Sequence, residues 1–203
     1  GRVCWTFSGV EAGLYWLMLE PVDQPVTWLF SEAYIPGTTA AVDTDERWWF
    51  APHPFTRWQT FMAKVDPDPG YYSASNVTSG FTRPEAGSNL WRSDPAQPLP
   101  QWIDLHWQEP VAVSRVECTF DTELEQPARE NPPLYRPPAC VRDMDVLIEK
   151  AGEWQSVARL RGNFQRRCEL DFETTVVSRM RFNVLRTHGS LDARIYELRA
   201  YGG

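Results

Sequence analysis

Apolar and polar residues alternate with a period of two through most of the later part of the chain. In the run Arg115-Val116-Glu117-Cys118-Thr119-Phe120-Asp121, the side chains of Val116, Cys118 and Phe120 fall on one face. Arg115, Glu117, Thr119 and Asp121 fall on the other, as expected of a half-buried β-strand. Cys168, Leu170 and Phe172 repeat the pattern, as do Met180, Phe182 and Val184. Ile103, Leu105 and Trp107 likewise oppose Trp102, Asp104 and His106. The pattern predicts strands near 101–107, 111–121, 142–149, 153–160, 166–172, 179–187 and 194–201, with almost no helical periodicity. One apolar and one wet face per strand is the pattern of an antiparallel sandwich.

The earlier part also reads as β, in short pieces: Val3 to Phe7, Gly13 to Leu19, Val26 to Phe30, Arg47 to Phe50 and Trp58 to Lys64. Val65-Asp66-Pro67-Asp68-Pro69-Gly70 interrupts this pattern, since two prolines and a glycine cannot continue a ladder. The domain reading is a small and incomplete β-sheet unit over 1–66, a linker over 67–70 and the sandwich over 71–203. A unit of the first kind is marginal alone and needs a neighbour to cover it.

Strand parity then groups the connections. With strands running alternately up and down, Gln108-Glu109-Pro110, Ala151-Gly152 and Glu173-Thr174-Thr175 are expected to turn at one end. The stretches 75–100, 122–141, 161–165 and 188–193 gather at the other, which holds the longest loops and most of the unusual chemistry. Long loops on a rigid sandwich are where binding sites are built.

Charge narrows the partners. With 27 acidic against 20 basic residues the net charge is −7, which works against nucleic acid and against an anionic membrane. Ten tryptophans, well above ordinary usage, suit a sandwich core and also surfaces that stack on flat ligands. Cys4, Cys118, Cys140 and Cys168 are widely spaced with no Cys-x-x-Cys, so neither a zinc knuckle nor a redox dithiol is supported, and the inward parity of Cys118 and Cys168 favours free buried thiols. His53, His106 and His188 are scattered without ligand spacing, so a zinc site has little support. The chain contains no nucleophile elbow, phosphate loop, His-Glu-x-x-His or dinucleotide fingerprint, and is read as noncatalytic. It opens Gly1-Arg2-Val3 without methionine, which reads as a piece of a longer protein.

The candidate contacts on the loop end are Arg83, Trp91, Arg92, Asp121, Tyr135, Arg142, Asn163 and His188. Guanidiniums and carboxylates make paired hydrogen bonds to vicinal hydroxyls, and an indole or phenol face stacks on a pyranose. That combination suits a neutral or weakly acidic sugar. Each residue also has a plainer role: Trp91 as a core residue, Asp121 and Arg142 as a clamp between strand ends, His188 as a turn residue beside Gly189. Tyr135, among Pro132, Pro133, Pro137 and Pro138, is the expected open platform. Asn76-Val77-Thr78 fits the glycosylation acceptor pattern.

Three stretches carry a resemblance: Ala74-Ser75-Asn76-Val77, Trp91-Arg92-Ser93-Asp94-Pro95, and Pro100 to Trp107 continuing into Val113 to Asp121. This order resembles the opening of the galactose-binding-like β-sandwich of the discoidin and coagulation-factor C-type family. The closing Ala193 to Tyr201 is similar to its last strand. The resemblance implies an all-β antiparallel jelly roll, a glycan or polysaccharide as partner, and an extracytoplasmic or secreted bacterial setting. Many members hold a structural calcium with an acidic turn. Here Thr78-Ser79-Gly80-Phe81-Thr82-Arg83-Pro84 lacks those acids, which argues against the calcium without closing the site to it, and no other cofactor is expected.

A second resemblance, to the C-terminal region of bacterial FAD-dependent oxidoreductases, rests on Ala33 to Thr39, Asn89 to Pro95, Leu99 to Trp102, Thr119 to Thr122, Cys140 to Asp143 and Asn163 to Arg167. It implies upstream domains of a larger protein as partners, and a structural or docking role without sugar affinity. The readings separate on simple observations. Two or more open aromatic rings at the loop end favour a glycan site, whereas a hydrolase needs a deep pocket with a strongly perturbed acid.

Overall fold

The computed structural model describes residues 4, 6–9, 30–31, 41–44, 47–50, 60–61, 72–84, 89–124 and 135–202. Four short strands precede the sandwich in the chain: β1 (Phe30–Ser31), β2 (Ala41–Thr44), β3 (Arg47–Phe50) and β4 (Thr60–Phe61). β1 pairs antiparallel with β4, and β2 with β3. The strand expected at Gly13 to Leu19 lies outside the described residues, and those described within Val3 to Phe7 are not in a strand.

The sandwich opens with a 3₁₀ turn over Ala74–Thr78, capped by Ser73. It is followed by β5 (Trp91–Arg92), β6 (Gln101–Phe120), β7 (Val141–Lys150), β8 (Glu153–Leu160), β9 (Arg167–Thr187) and β10 (Arg194–Tyr201), hydrogen-bonded in the order β5-β10-β6-β9-β7-β8. β6 and β9, of 20 and 21 residues, form a ribbon paired from Gln101↔Val184 to Thr119↔Arg167. β10 joins only the later half of β6, between Arg115 and Phe120, while β7 joins only the later half of β9, between Met180 and Thr187. The ribbon is therefore the centre of two layers, one carrying β10 and β5, the other β7 and β8.

Two expected turns are corrected here. Gln108-Glu109-Pro110 and Glu173-Thr174-Thr175 are not connections but parts of continuous strands. The register slips between His106 and Val111 and again between Val113 and Arg115, while Val113 pairs with Thr175 and Ala112 with Val176. Pro110, which has no N–H to give, lies in the irregular stretch where the ladder does not need one.

Val116, Cys118, Phe120, Ile195 and Leu198 from the first layer meet Ile103, Met144, Val146, Ile148, Met180, Phe182 and Val184 from the second in one buried cluster. Each fully buried side chain of this size contributes about 2 kcal/mol from area removed from water. Ile103, Leu105 and Trp107 face this core as expected. Thr119 and Asp121, expected outward, are buried. On the outer face of the second layer Arg181 lies between the rings of Trp102 and Trp154, at 4.6 and 4.2 Å, and forks onto both oxygens of Asp104 at 2.7 and 2.9 Å.

Candidate functional site

Backbone hydrogen bonds draw the connections of one end together. The Phe120 amide donates to the Arg166 carbonyl at 2.7 Å, and that of Asn163 to Arg142 at 2.9 Å. The amides of His188 and Ser190 donate to the carbonyls of Cys140 and Pro138 at 3.2 and 3.0 Å. The stretches 135–140, 161–166 and 188–193 thus lie side by side. Ser93 N–H to Ala193 O at 2.9 Å brings the segment before β6 alongside. Arg166 reaches from the same place to the Thr82 carbonyl and stacks over Tyr196 at 5.6 Å.

Asn163, 7% exposed, is the fastener of this end. Its Nδ2 donates to the carbonyls of Val141 at 2.8 Å and Gln165 at 3.0 Å, while its Oδ1 accepts from the Gln165 amide at 2.9 Å and the Cys168 thiol at 3.1 Å. Its own carbonyl accepts from His188 Nε2 at 2.6 Å. A carbonyl only accepts, so the imidazole proton is on Nε2, and in the neutral ring Nδ1 is an acceptor.

A second buried network ties the other loops. Asp192 Oδ2 receives Arg92 Nε at 2.6 Å and Arg194 Nε at 2.9 Å, and its Oδ1 receives the Ser190 hydroxyl at 2.6 Å. Arg194 continues to Asp121 Oδ2 at 3.4 Å, whose Oδ1 accepts the Glu123 amide at 2.8 Å. Glu123 in turn accepts the Tyr135 hydroxyl at 2.7 Å. Burial pushes the carboxyl of Asp192 up, but the bond and charge of Arg194, helped by Ser190 and Arg92, outweigh it and hold the group below the ordinary carboxylate range. For Asp121 and Glu123 burial prevails and the carboxyls sit above that range.

The predicted residues therefore divide. Trp91, 8% exposed, belongs to the core. Asp121, wholly buried, pairs with Arg194, which corrects the expected clamp with Arg142. Arg92 is held by Asp192 and lies 5.7 Å from the Tyr72 ring, and Asn163 is consumed by backbone groups. Tyr135 is half-buried with its hydroxyl tied down, so it is not the open platform expected. Arg83 and Arg142 are exposed, and His188 is half-buried at their end of the molecule. The Asn76 amide donates to the Leu90 carbonyl at 2.9 Å, so the glycosylation pattern falls on a nitrogen already engaged in the fold.

Two phenylalanines of the described loop residues have open rings, Phe164 at 61% and Phe81 at 45% exposed. The Arg136 guanidinium lies 5.9 Å from the Phe164 ring. Neither phenylalanine was among the candidates. The signal for Phe164 was an aromatic residue in the short polar loop Arg161-Gly162-Asn163-Phe164-Gln165, outside any strand parity.

Elsewhere, an open depression on the outer face of the first layer is lined by Ser114, Arg115, Glu117, Asp171, Tyr201 and Gly202. The hydrogen bond from Arg167 holds its Glu117 low, the opposite of a poised general acid. Among the described residues no group of three or more His, Cys, Asp or Glu is placed to hold a metal ion, and no helix is long and apolar enough to cross a membrane.

Solved structures place this arrangement. A family 32 carbohydrate-binding module from Streptococcus pneumoniae EndoD superposes with a TM-score of 0.53 at 18% identity, over 84% of this chain and 100% of that one. The fold is the galactose-binding-like β-sandwich. A Clostridium perfringens domain, CpGH89CBM32-5 in complex with GalNAc-β-1,3-galactose, matches this sandwich with a TM-score of 0.50 at 14% identity, over 66% of the chain and 88% of its own. Chitosan-binding module 2 of a Paenibacillus sp. IK-5 chitosanase/glucanase, in complex with chitotriose, gives 0.50 at 14% identity, over 64% and 87%. No protein-family model and no curated protein matches the chain.

Proposed function

We propose that this chain is a noncatalytic carbohydrate-binding module that holds its sugar on the loop end of the sandwich, around Phe164. The observation that carries the reading is the pair of open rings, Phe164 and Phe81, on an end whose loops are fastened by buried hydrogen bonds. A phenyl face covers the apolar face of a pyranose, and the guanidinium of Arg136 and the imidazole of His188 supply donors and an acceptor for hydroxyls. Two modules of the same fold hold GalNAc-β-1,3-galactose and chitotriose, which supports a sugar as the class of ligand. Recognition of this kind is weak: a dissociation constant on the order of 1 mM corresponds to only about −4 kcal/mol. The bacterial sources of these modules suit a place outside the cytoplasm, where polysaccharide is met.

The test is a glycan array with polysaccharide-retardation electrophoresis of the chain and of Phe164→Ala. Loss of one open ring is expected to weaken binding about tenfold, with the circular dichroism and melting temperature unchanged. Silence across neutral and acidic glycans would overturn the reading and leave the loop end as a docking face within a larger oxidoreductase.

A further inference from the structure

The arginines of this molecule are unequally engaged. Arg92, Arg161, Arg179, Arg181 and Arg194 all donate to carboxylates, and Arg166 to a carbonyl. Arg136, Arg142 and Arg186 make no hydrogen bond through their guanidiniums among the described residues. The nearest oxygen to Arg142 and to Arg186 is Asp143 Oδ2, at 3.7 and 4.0 Å, and Arg136 has only the Phe164 ring. Arg142 and Arg186 are 45% and 68% exposed.

These cations meet at one loop. Asp143 accepts the Gly162 amide on Oδ1 at 2.8 Å, which sets its other oxygen, with Arg142 and Arg186, two residues from Phe164. Arg142 also gives its carbonyl to the Asn163 amide at 2.9 Å. Around Gly162-Asn163-Phe164 two guanidiniums share one carboxylate and a third lies beside the Phe164 ring, on a chain whose net charge is −7. Arg142 and Arg186, which share one carboxylate at long range and are otherwise open beside a bare aromatic ring, give a place for a ligand carrying both an anion and an apolar face. A long polyphosphate is opposed by the net charge of −7, whereas a sugar with a single exocyclic anion needs only the local guanidiniums.

We infer that the site takes an anionic sugar residue, its ring on Phe164 and its carboxylate or sulfate held by the exposed guanidiniums of Arg142 and Arg186. This rests on the sugar-binding reading above and deepens it. It is tested by calorimetric titration of the whole 203-residue chain with two matched pairs. One is trigalacturonate against its methyl ester, and the other is galactose 6-sulfate against galactose. The charged member of at least one pair is expected to bind about tenfold tighter or more, and the pair that shows the preference identifies the anion. Arg142→Gln combined with Arg186→Gln is expected to bring that ratio to within about twofold, while Arg115→Gln, a charge loss on the outer sheet face, leaves it intact. Equal binding of charged and uncharged members overturns this inference and leaves the sugar reading standing. A preference that survives the double substitution overturns the assignment to these arginines. Absence of binding by every ligand overturns both readings.

Discussion

Removing the side chain of Asn163 is expected to loosen the loop end and destabilise the sandwich by about 4–6 kcal/mol. Asn163→Ala deletes the bonds from Nδ2 to the Val141 and Gln165 carbonyls and the one to Oδ1 from the Gln165 amide, each contributing about 1 kcal/mol net. Val141 is wholly buried, so its carbonyl is left without water, adding about 1–3 kcal/mol. Set against the usual 5–15 kcal/mol of a folded domain, this is a large fraction. In urea unfolding, with a slope of about 2 kcal/mol/M, the midpoint should fall by more than about 1 M. Asn163→Asp separates hydrogen bonding from volume. It keeps the acceptor but turns a carboxylate oxygen on two carbonyls, and burial sets the folded pKa of the introduced group above its unfolded value. The cost is therefore full above that folded pKa and recedes as pH falls through it, when the protonated oxygen can donate again. A midpoint shift below about 0.3 M for Asn163→Ala, or an Asn163→Asp loss that does not change with pH, would refute the assignment of Asn163 as the fastener.

Two further outcomes are expected. Asp192→Asn should cost about 3–5 kcal/mol in thermal or urea unfolding, since it leaves Arg92 and Arg194 buried against a neutral group. Asp192 is held below the ordinary range, so its contribution is present above the unfolded pKa of about 3.9 and is lost as pH falls through the lower folded value. Asp121, held above the range, acts in the opposite sense, its cost receding as pH falls through its raised pKa. The variant should accordingly lose less stability than the parent below about pH 4, and an identical acid limb would contradict the assignment. With a disulfide reagent at pH 8, exposed Cys4 should react rapidly and Cys140 only on unfolding. Burial, then the neighbouring Cys168, Asp121 and Glu123, push the Cys140 thiol up to about 12, which leaves thiolate on the order of one part in ten thousand. Release of a second thiol as fast as the first in the folded protein would contradict it.

The strands were readable because each half of the ribbon keeps its own alternation: Val116, Cys118 and Phe120, then Met180, Phe182 and Val184, are buried as the period of two requires. The bends were not readable. Pro110 and the run Glu173-Thr174-Thr175 have turn chemistry, yet cross-strand pairing on both sides carries the backbone through, and local composition does not report a partner strand. The same limit governs the ion pairs. Asp121 meets Arg194 because Phe120 is registered on Ile195, a pairing 75 positions apart in sequence. Trp91 took the plain role open to it, core packing. Tyr135 was misjudged because its loop prolines said nothing of Glu123, and Phe164 was missed because a single aromatic in a short loop has no periodicity to mark it.

The ribbon of β6 and β9 has a mechanical consequence. In a sandwich of two separate sheets the layers can slide or part like the covers of a book, and a surface spanning their ends changes shape when they do. Here the same two backbones run through both covers, so the layers cannot part without tearing the ladder from Gln101↔Val184 to Thr119↔Arg167. The molecule has no spine at which to open. The described stretches 135–140, 161–166 and 188–193 are held in place by this frame before any ligand arrives, and a ligand that fits them meets little further ordering cost.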